Sequence, residues 1–148
     1  SKAPQVPNFY IYLASLEEEA NNLPASIQAL ERAYQHFPEE ERVLYYLGSL
    51  YDRVGDTEKG LAKMEQLLFV NPKNVDALNY LGYTWTILGR KMDTAEEYLK
   101  LAMKLRPNNA FITDSWGWHL FVRGNFKEAI KVLEKAVALK GDEATLLE

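Results

Sequence analysis

At 148 residues, 47% of them apolar and 26% charged, the chain can bury one ordinary core, which excludes an intrinsically disordered segment. Its net charge of −4 excludes the basic surplus with which nucleic-acid binders hold phosphate, so no nucleic-acid partner is expected. The absence of cysteine excludes a disulfide frame, a thiolate nucleophile and a sulfur metal site, and no apolar run approaches the roughly 20 residues of a membrane-spanning helix.

The opening Ser1-Lys2-Ala3-Pro4 reads as a trimmed or engineered end rather than a charged-then-apolar leader. Beyond it, apolar spacing predicts helices near 9–20, 24–36, 40–54, 57–70, 75–88, 94–105, 110–123 and 126–139. Asn22, with Pro24 just inside, opens the second, and Asp56, Asp93 and Asn125 are placed to cap the fourth, sixth and eighth. Asp93 with Glu96, and Asn125 with Glu128, have capping-box spacing. Every second helix stops before a proline: Pro38, Pro72 or Pro107, with Gly141 where a fourth would fall. A short ninth segment from Asp142 to Glu148 is expected to begin another helix pair.

These punctuation marks form four series with one period. Pro38, Pro72 and Pro107 lie 34 and 35 residues apart, as do Gly48, Gly82 and Gly117. Gly55, Gly89 and Gly124 keep the same step, with Asn21 as forerunner; Ala33, Leu67, Ala102 and Ala136 make the fourth series. One extra residue falls between Gly89 and Ala95. Such self-similarity marks a repeat architecture, in which each helix pair buries its apolar face only by stacking on neighbours. Gly48, Gly82 and Gly117 sit in mid-helix, where glycine costs about 1 kcal/mol relative to alanine. Their recurrence at one phase predicts helices crossing too closely for a side chain, with Ala33, Ala95, Ala102, Ala129 and Ala136 opposite. Leu47, Leu81 and Trp116 are expected to fill the space between layers.

The third repeat (Leu78, Leu81-Gly82, Trp85, Gly89, Ala95, Leu99, Ala102, Pro107) resembles the tetratricopeptide pattern. The fourth repeats it with Trp116-Gly117, Leu120, Gly124, Ala129, Leu133 and Ala136; the first and second are less regular. The resemblance, of a bacterial type, covers about residues 7–141. It implies an all-α, right-handed α-solenoid of antiparallel helix pairs. The chain then reads as a single domain over 1–148, with repeats near 7–40, 41–74, 75–109 and 110–143.

The resemblance further implies a concave face lined by the first helices. Carried onto this chain, its groove takes Tyr45 and Asp52, then Asn79 and Tyr83, then Asp114, Trp118 and Phe121. Asp76, Thr86 and Ile87, with Phe111 and Val122, fall on the same face, as do Arg42, Ser49 and Arg53, and Asn8, Ile11, Ser15, Glu18 and Glu19 in the first repeat. The lining grows aromatic toward the last repeat, which suits anchoring of a protein or peptide. The alternative for Trp118 and Phe121 is packing against the ninth segment or a missing repeat. Relatives that grip a terminal carboxylate place Lys and Asn where this chain has Ile11, Ser15, Tyr45 and Ser49, so that partner class is not expected.

Chemistry has little footing. His36 and His119 lie far apart in sequence, without metal-ligand spacing, and His119 is expected to be packed or half-exposed. Glu17-Glu18-Glu19 and Glu39-Glu40-Glu41 read as solvated helix faces, and Lys127, Lys131, Lys135 and Lys140 as an outer stripe. The expectation is a non-catalytic adaptor or scaffold with no cofactor and no metal, soluble in a bacterial cytoplasm or periplasm. A self-assembling module joined through its open ends, or one module of a larger complex, is the alternative.

Overall fold

The computed structural model describes residues 6–147, with side chains as far as Asp142, so the reading of Ser1 to Pro4 lies outside it. It contains α1 (Pro7–Glu19), α2 (Leu23–His36), α3 (Glu41–Arg53), α4 (Thr57–Val70), α5 (Val75–Leu88), α6 (Met92–Leu105), α7 (Ala110–Val122) and α8 (Phe126–Leu147), and no strand among the described residues. These match the eight predicted helices, with one difference at the end. Gly141 does not end α8: its φ is not positive, and the helix runs unbroken to Leu147. The expected ninth segment is therefore a continuation of α8, with Glu148 outside the described residues.

The chain divides into two compact units, one ending at Pro72 and the other beginning at Lys73. In the first, α1 packs on α2, α2 on α3 and α3 on α4. Ala14, Ala29, Leu30, Leu47 and Leu50 form its core, and Ser26 Oγ donates to Ala14 O at 2.8 Å where the first two helices meet. Arg42 donates to Asn8 at 2.7 Å, and Arg53 and Tyr46 both donate to Glu18, which ties α1 to α3. These two bonds, that from Tyr46 first, hold the Glu18 carboxyl below its usual range, whereas burial and the same bond push the Tyr46 hydroxyl up to about 12. In the second unit, α5 packs on α6 and α7, α6 on α7, and α7 on α8. Its buried residues include Leu78, Leu81, Trp85, Ala95, Leu99, Ala102, Ile112 and Leu120.

The mid-helix glycines stand where helices cross closely. A Cβ on Gly82 would lie 2.5 Å from Leu99 Cγ, one on Gly117 2.7 Å from Leu133 Cδ2, and one on Gly48 3.0 Å from Met64 Cε. The alanines expected opposite them are all 0–1% exposed. Leu47 and Leu81 are fully buried, and Trp116 is half-buried.

The turns show how the period is kept. Gly55, Gly89 and Gly124 have φ of +89°, +67° and +90°, the left-handed conformation that ends a helix, and Asn21 adopts φ 59° in the same place. Asn22 and Asp56 cap α2 and α4 as expected, accepting from Ala25 N and Lys59 N. Asp93 does not cap α6. The extra residue of the third repeat displaces the start, and Lys91, left-handed at φ 48°, takes the cap position, where its side chain does not cap the helix. Asp93 lies in the first helical turn instead and pairs with Arg123. Its capping box with Glu96 is therefore absent.

Candidate partner-binding face

Each helix turn carries side chains three and four apart onto one face, and this fixes where the expected groove residues stand. On α3, Tyr45 (39% exposed), Ser49 and Asp52 share a face, and Ser49 Oγ donates back to Tyr45 O at 2.8 Å. Arg42 and Arg53, expected beside them, are engaged with Glu40 and Glu18.

In the second unit the face is built from α5 and α7. Asn79 and Tyr83 stand one turn apart on α5, and Asp114 and Trp118 one turn apart on α7. Tyr83 is 41% exposed, Trp118 37% and Phe121 44%. Trp118 and Phe121 stack with centroids 5.2 Å apart, and Phe121 meets Phe126 of α8 edge-on at 5.3 Å. Phe126 was not expected in this group. Its signal is a phenylalanine opening α8 where α2, α4 and α6 open with Leu23, Thr57 and Met92.

Polar positions are sparse. Asp114 is half-buried and makes neither an ion pair nor a hydrogen bond among the described residues, and Asn79 Oδ1 is sealed from solvent without a partner. Asp76, at the start of α5, is engaged by Arg106 at 3.5 Å. Thr86 does not line this face. It is 1% exposed, and its hydroxyl lies 2.7 Å from both Gly82 O and His119 Nδ1.

His119 is packed, the first of the two expected states: it is fully buried and stacked on Trp116 at 5.7 Å, with its Nε2 3.4 Å from Glu96. Burial pushes its pKa below the usual histidine value, against the opposing pull of Glu96. His36 is exposed and stacks on Tyr10 at 6.0 Å. Of the lysine stripe, all four side chains are exposed, and Lys140 lies over the Phe111 ring at 5.6 Å. No three metal-ligating side chains gather among the described residues, and no described helix is long and apolar enough to cross a membrane.

The profile of the Tetratricopeptide repeat family matches residues 13–59 and 45–110, more than half of the chain. The chain belongs to the tetratricopeptide repeat family. It is 34% identical over 139 residues to TPR repeat-containing protein PA4667 of Pseudomonas aeruginosa, covering 88% of this chain and 23% of that protein. It is 30% identical over 108 residues to Photosystem I assembly protein Ycf3 of Rippkaea orientalis, covering 60% of this chain and 62% of that protein. The chain thus spans about a quarter of the first relative's length and under two thirds of the second's. Among solved structures it is similar to MamA (TM-score 0.78, 19% identity, 96% of this chain and 82% of that one). A tetratricopeptide repeat protein from Parabacteroides merdae gives TM-score 0.81 at 20% identity, over 91% of this chain and 52% of that one. These likenesses show an all-α fold of the α-solenoid class, and a tetratricopeptide fold is in general a scaffold for protein interaction.

Proposed function

We propose that this chain is a non-catalytic scaffold that holds a protein or peptide segment on the face formed by α5 and α7. The observation that carries this reading is the solvent-facing aromatic group of Tyr83, Trp118 and Phe121. Rigid aromatic surface with a polar tip loses little entropy on binding and supplies most hot spots. Tyr45 and Asp52 give the first unit an exposed face of its own on α3. The Ycf3 relative is named for photosystem I assembly, which agrees with a scaffold role here. Replacing Tyr83 and Trp118 together with alanine is expected to weaken binding of peptides selected from a displayed library by more than about tenfold, or about 1.4 kcal/mol. Helical circular dichroism should be unchanged; full binding by the double variant would sink the assignment.

A second reading, association between copies, rests on register. Phe9, Tyr12 and Leu16 of α1 are 44%, 67% and 45% exposed, whereas Val43 and Leu50, the counterparts of Phe9 and Leu16 in α3, are 0% and 1% exposed. On α8, Ile130 (58%) and Val137 (71%) stand where α4 has Leu61 (2%) and Leu68 (9%). Their counterparts in α2, Ile27 and Tyr34, pack on the core that includes Leu47 and Leu50 of α3. The bare faces of α1 and α8 are thus the two halves of the contact that α2 and α3 make, and would meet head-to-tail between copies. Tyr12→Lys with Leu16→Lys, and Ile130→Lys with Val137→Lys, should each sediment as monomers alone and as a one-to-one complex when mixed. A mixture that stays monomeric would remove this reading.

A further inference from the structure

The α5–α7 face carries a repeated pair of residue types. Asn79 and Asp114 occupy one register position, Tyr83 and Trp118 the position one turn later. In the first row Asp114 offers a carboxylate, the Asn79 Oδ1 being sealed, and the second row offers aromatic surface. Asp114 has no cation and no hydrogen-bond donor of its own among the described residues, although it is half-buried. A carboxylate that has surrendered part of its hydration without a protein partner is poised for a charge-assisted bond. Arg106, at the end of α6, is engaged with Asp76. Trp118, four residues on, presents an exposed ring stacked on Phe121.

Those two rows ask for a side chain that is apolar along its stem and cationic at its tip. Lysine and arginine are such side chains: the methylenes lie on aromatic surface while the head reaches a carboxylate. The ring adds a cation–π attraction, and arginine can bind a carboxylate with two hydrogen bonds. An acidic partner segment would meet Asp114 as repulsion, so the face discriminates by charge as well as by shape.

We propose that this face recognises a segment in which a lysine or arginine stands beside a bulky apolar residue, the cation bound between the Asp114 carboxylate and the Trp118 ring. The proposal rests on the partner-binding reading of α5 and α7 and adds to it the chemistry of the occupant. In unit one the same two register positions hold Tyr45 and Ser49, which offer no carboxylate, so the selectivity belongs to the last repeat.

The test selects random displayed peptides on the 148-residue chain and measures the affinities of the enriched sequences as free peptides. Enriched sequences are expected to share a Lys or Arg next to Leu, Ile, Phe or Trp. Replacing that basic residue with methionine should weaken binding about tenfold, and Asp114→Asn should weaken the parent peptide to a similar extent. Asp114→Lys should reverse the preference, so that a peptide with Glu in place of the basic residue binds better than the parent. Asp114 is on a half-exposed helix face, and thermal melts of both variants check that they fold as the parent does. Enriched peptides that need Trp118 but carry no basic residue would overturn the proposal and leave the binding face intact. Peptides indifferent to both Tyr83→Ala and Trp118→Ala, or no enrichment at all, would overturn the binding face as well.

Discussion

Shortening Leu99 to alanine is expected to lower folding stability by about 2–5 kcal/mol and, in that background, to turn Gly82→Ala from a damaging change into a favourable one. Leu99 is 0% exposed and fills the gap left by the missing side chain of Gly82. In the parent protein a Cβ on Gly82 would stand 2.5 Å and 2.7 Å from two Leu99 carbons, and a branched core side chain cannot yield that much without shifting its helix. Overpacking of this kind costs about 1–3 kcal/mol, more than the roughly 1 kcal/mol gained by replacing a mid-helix glycine. Without the leucine branch both contacts under 3.0 Å are gone, the next atom being Ala95 O at 3.2 Å, and the helix-propensity gain is expected to win. Urea denaturation of the parent, both single variants and the double variant measures this directly. Strict additivity of the two changes would contradict it. Gly48→Ala should be nearly neutral by comparison, because its nearest neighbour is the free end of Met64.

His119 is expected to make the second unit sensitive to mild acid. Its ring is sealed between Trp116, Thr86 and Glu96, and burial outweighs the nearby carboxylate and lowers its pKa. Arg123 and Lys100 also oppose a positive charge there. A group whose native pKa lies below its unfolded value of about 6.5 binds protons more readily when unfolded. Its contribution is complete above that value and is lost as pH falls through the native one. The melting temperature should therefore drop between pH 7 and pH 5, and His119→Leu should flatten that slope, leucine being the residue at the same register in α3 (Leu50). His119→Ala removes the ring altogether and should cost about 2–4 kcal/mol at neutral pH. A pH profile identical in the parent and the leucine variant would show that another group carries the effect.

Much of this architecture could be read from residue order because the repeat converts single residues into series. Gly55, Gly89 and Gly124 each mark a left-handed turn, and Pro38, Pro72 and Pro107 each follow a helix end. The caps were legible where the series was undisturbed, at Asn22 and Asp56. Asn74 and Asn109 cap α5 and α7 by accepting from Ala77 N and Ile112 N, and their signal was an asparagine two residues beyond a proline. Glu40 holds the same place before α3 and makes no such bond, so the proline alone would not have sufficed. Asp93 misled because composition cannot show which residue absorbs an insertion; nothing in a lysine announces a positive φ.

The face of α5 and α7 was legible as a set of positions, since aromatic residues recur there in phase. Its detail was not. Thr86 has the phase of a lining residue, yet a hydroxyl within bonding distance of His119, 33 residues away, is buried by that pairing. Phe126 joins Phe121 across a turn, which depends on how α8 leaves α7 rather than on the periodicity of either helix.

The left-handed Lys91 bears on how such a chain tolerates change in length. Inside a helix one added residue would rotate everything after it by about 100°, turning Ala95, Leu99 and Ala102 out of their seams. Placed between Gly89 and Met92, the same residue is spent on a single reversal of backbone hand, and Ala95, Leu99 and Ala102 remain fully buried. Drift in repeat length is thereby confined to the corners, and each helix pair keeps its own phase regardless of how many residues separate it from the last.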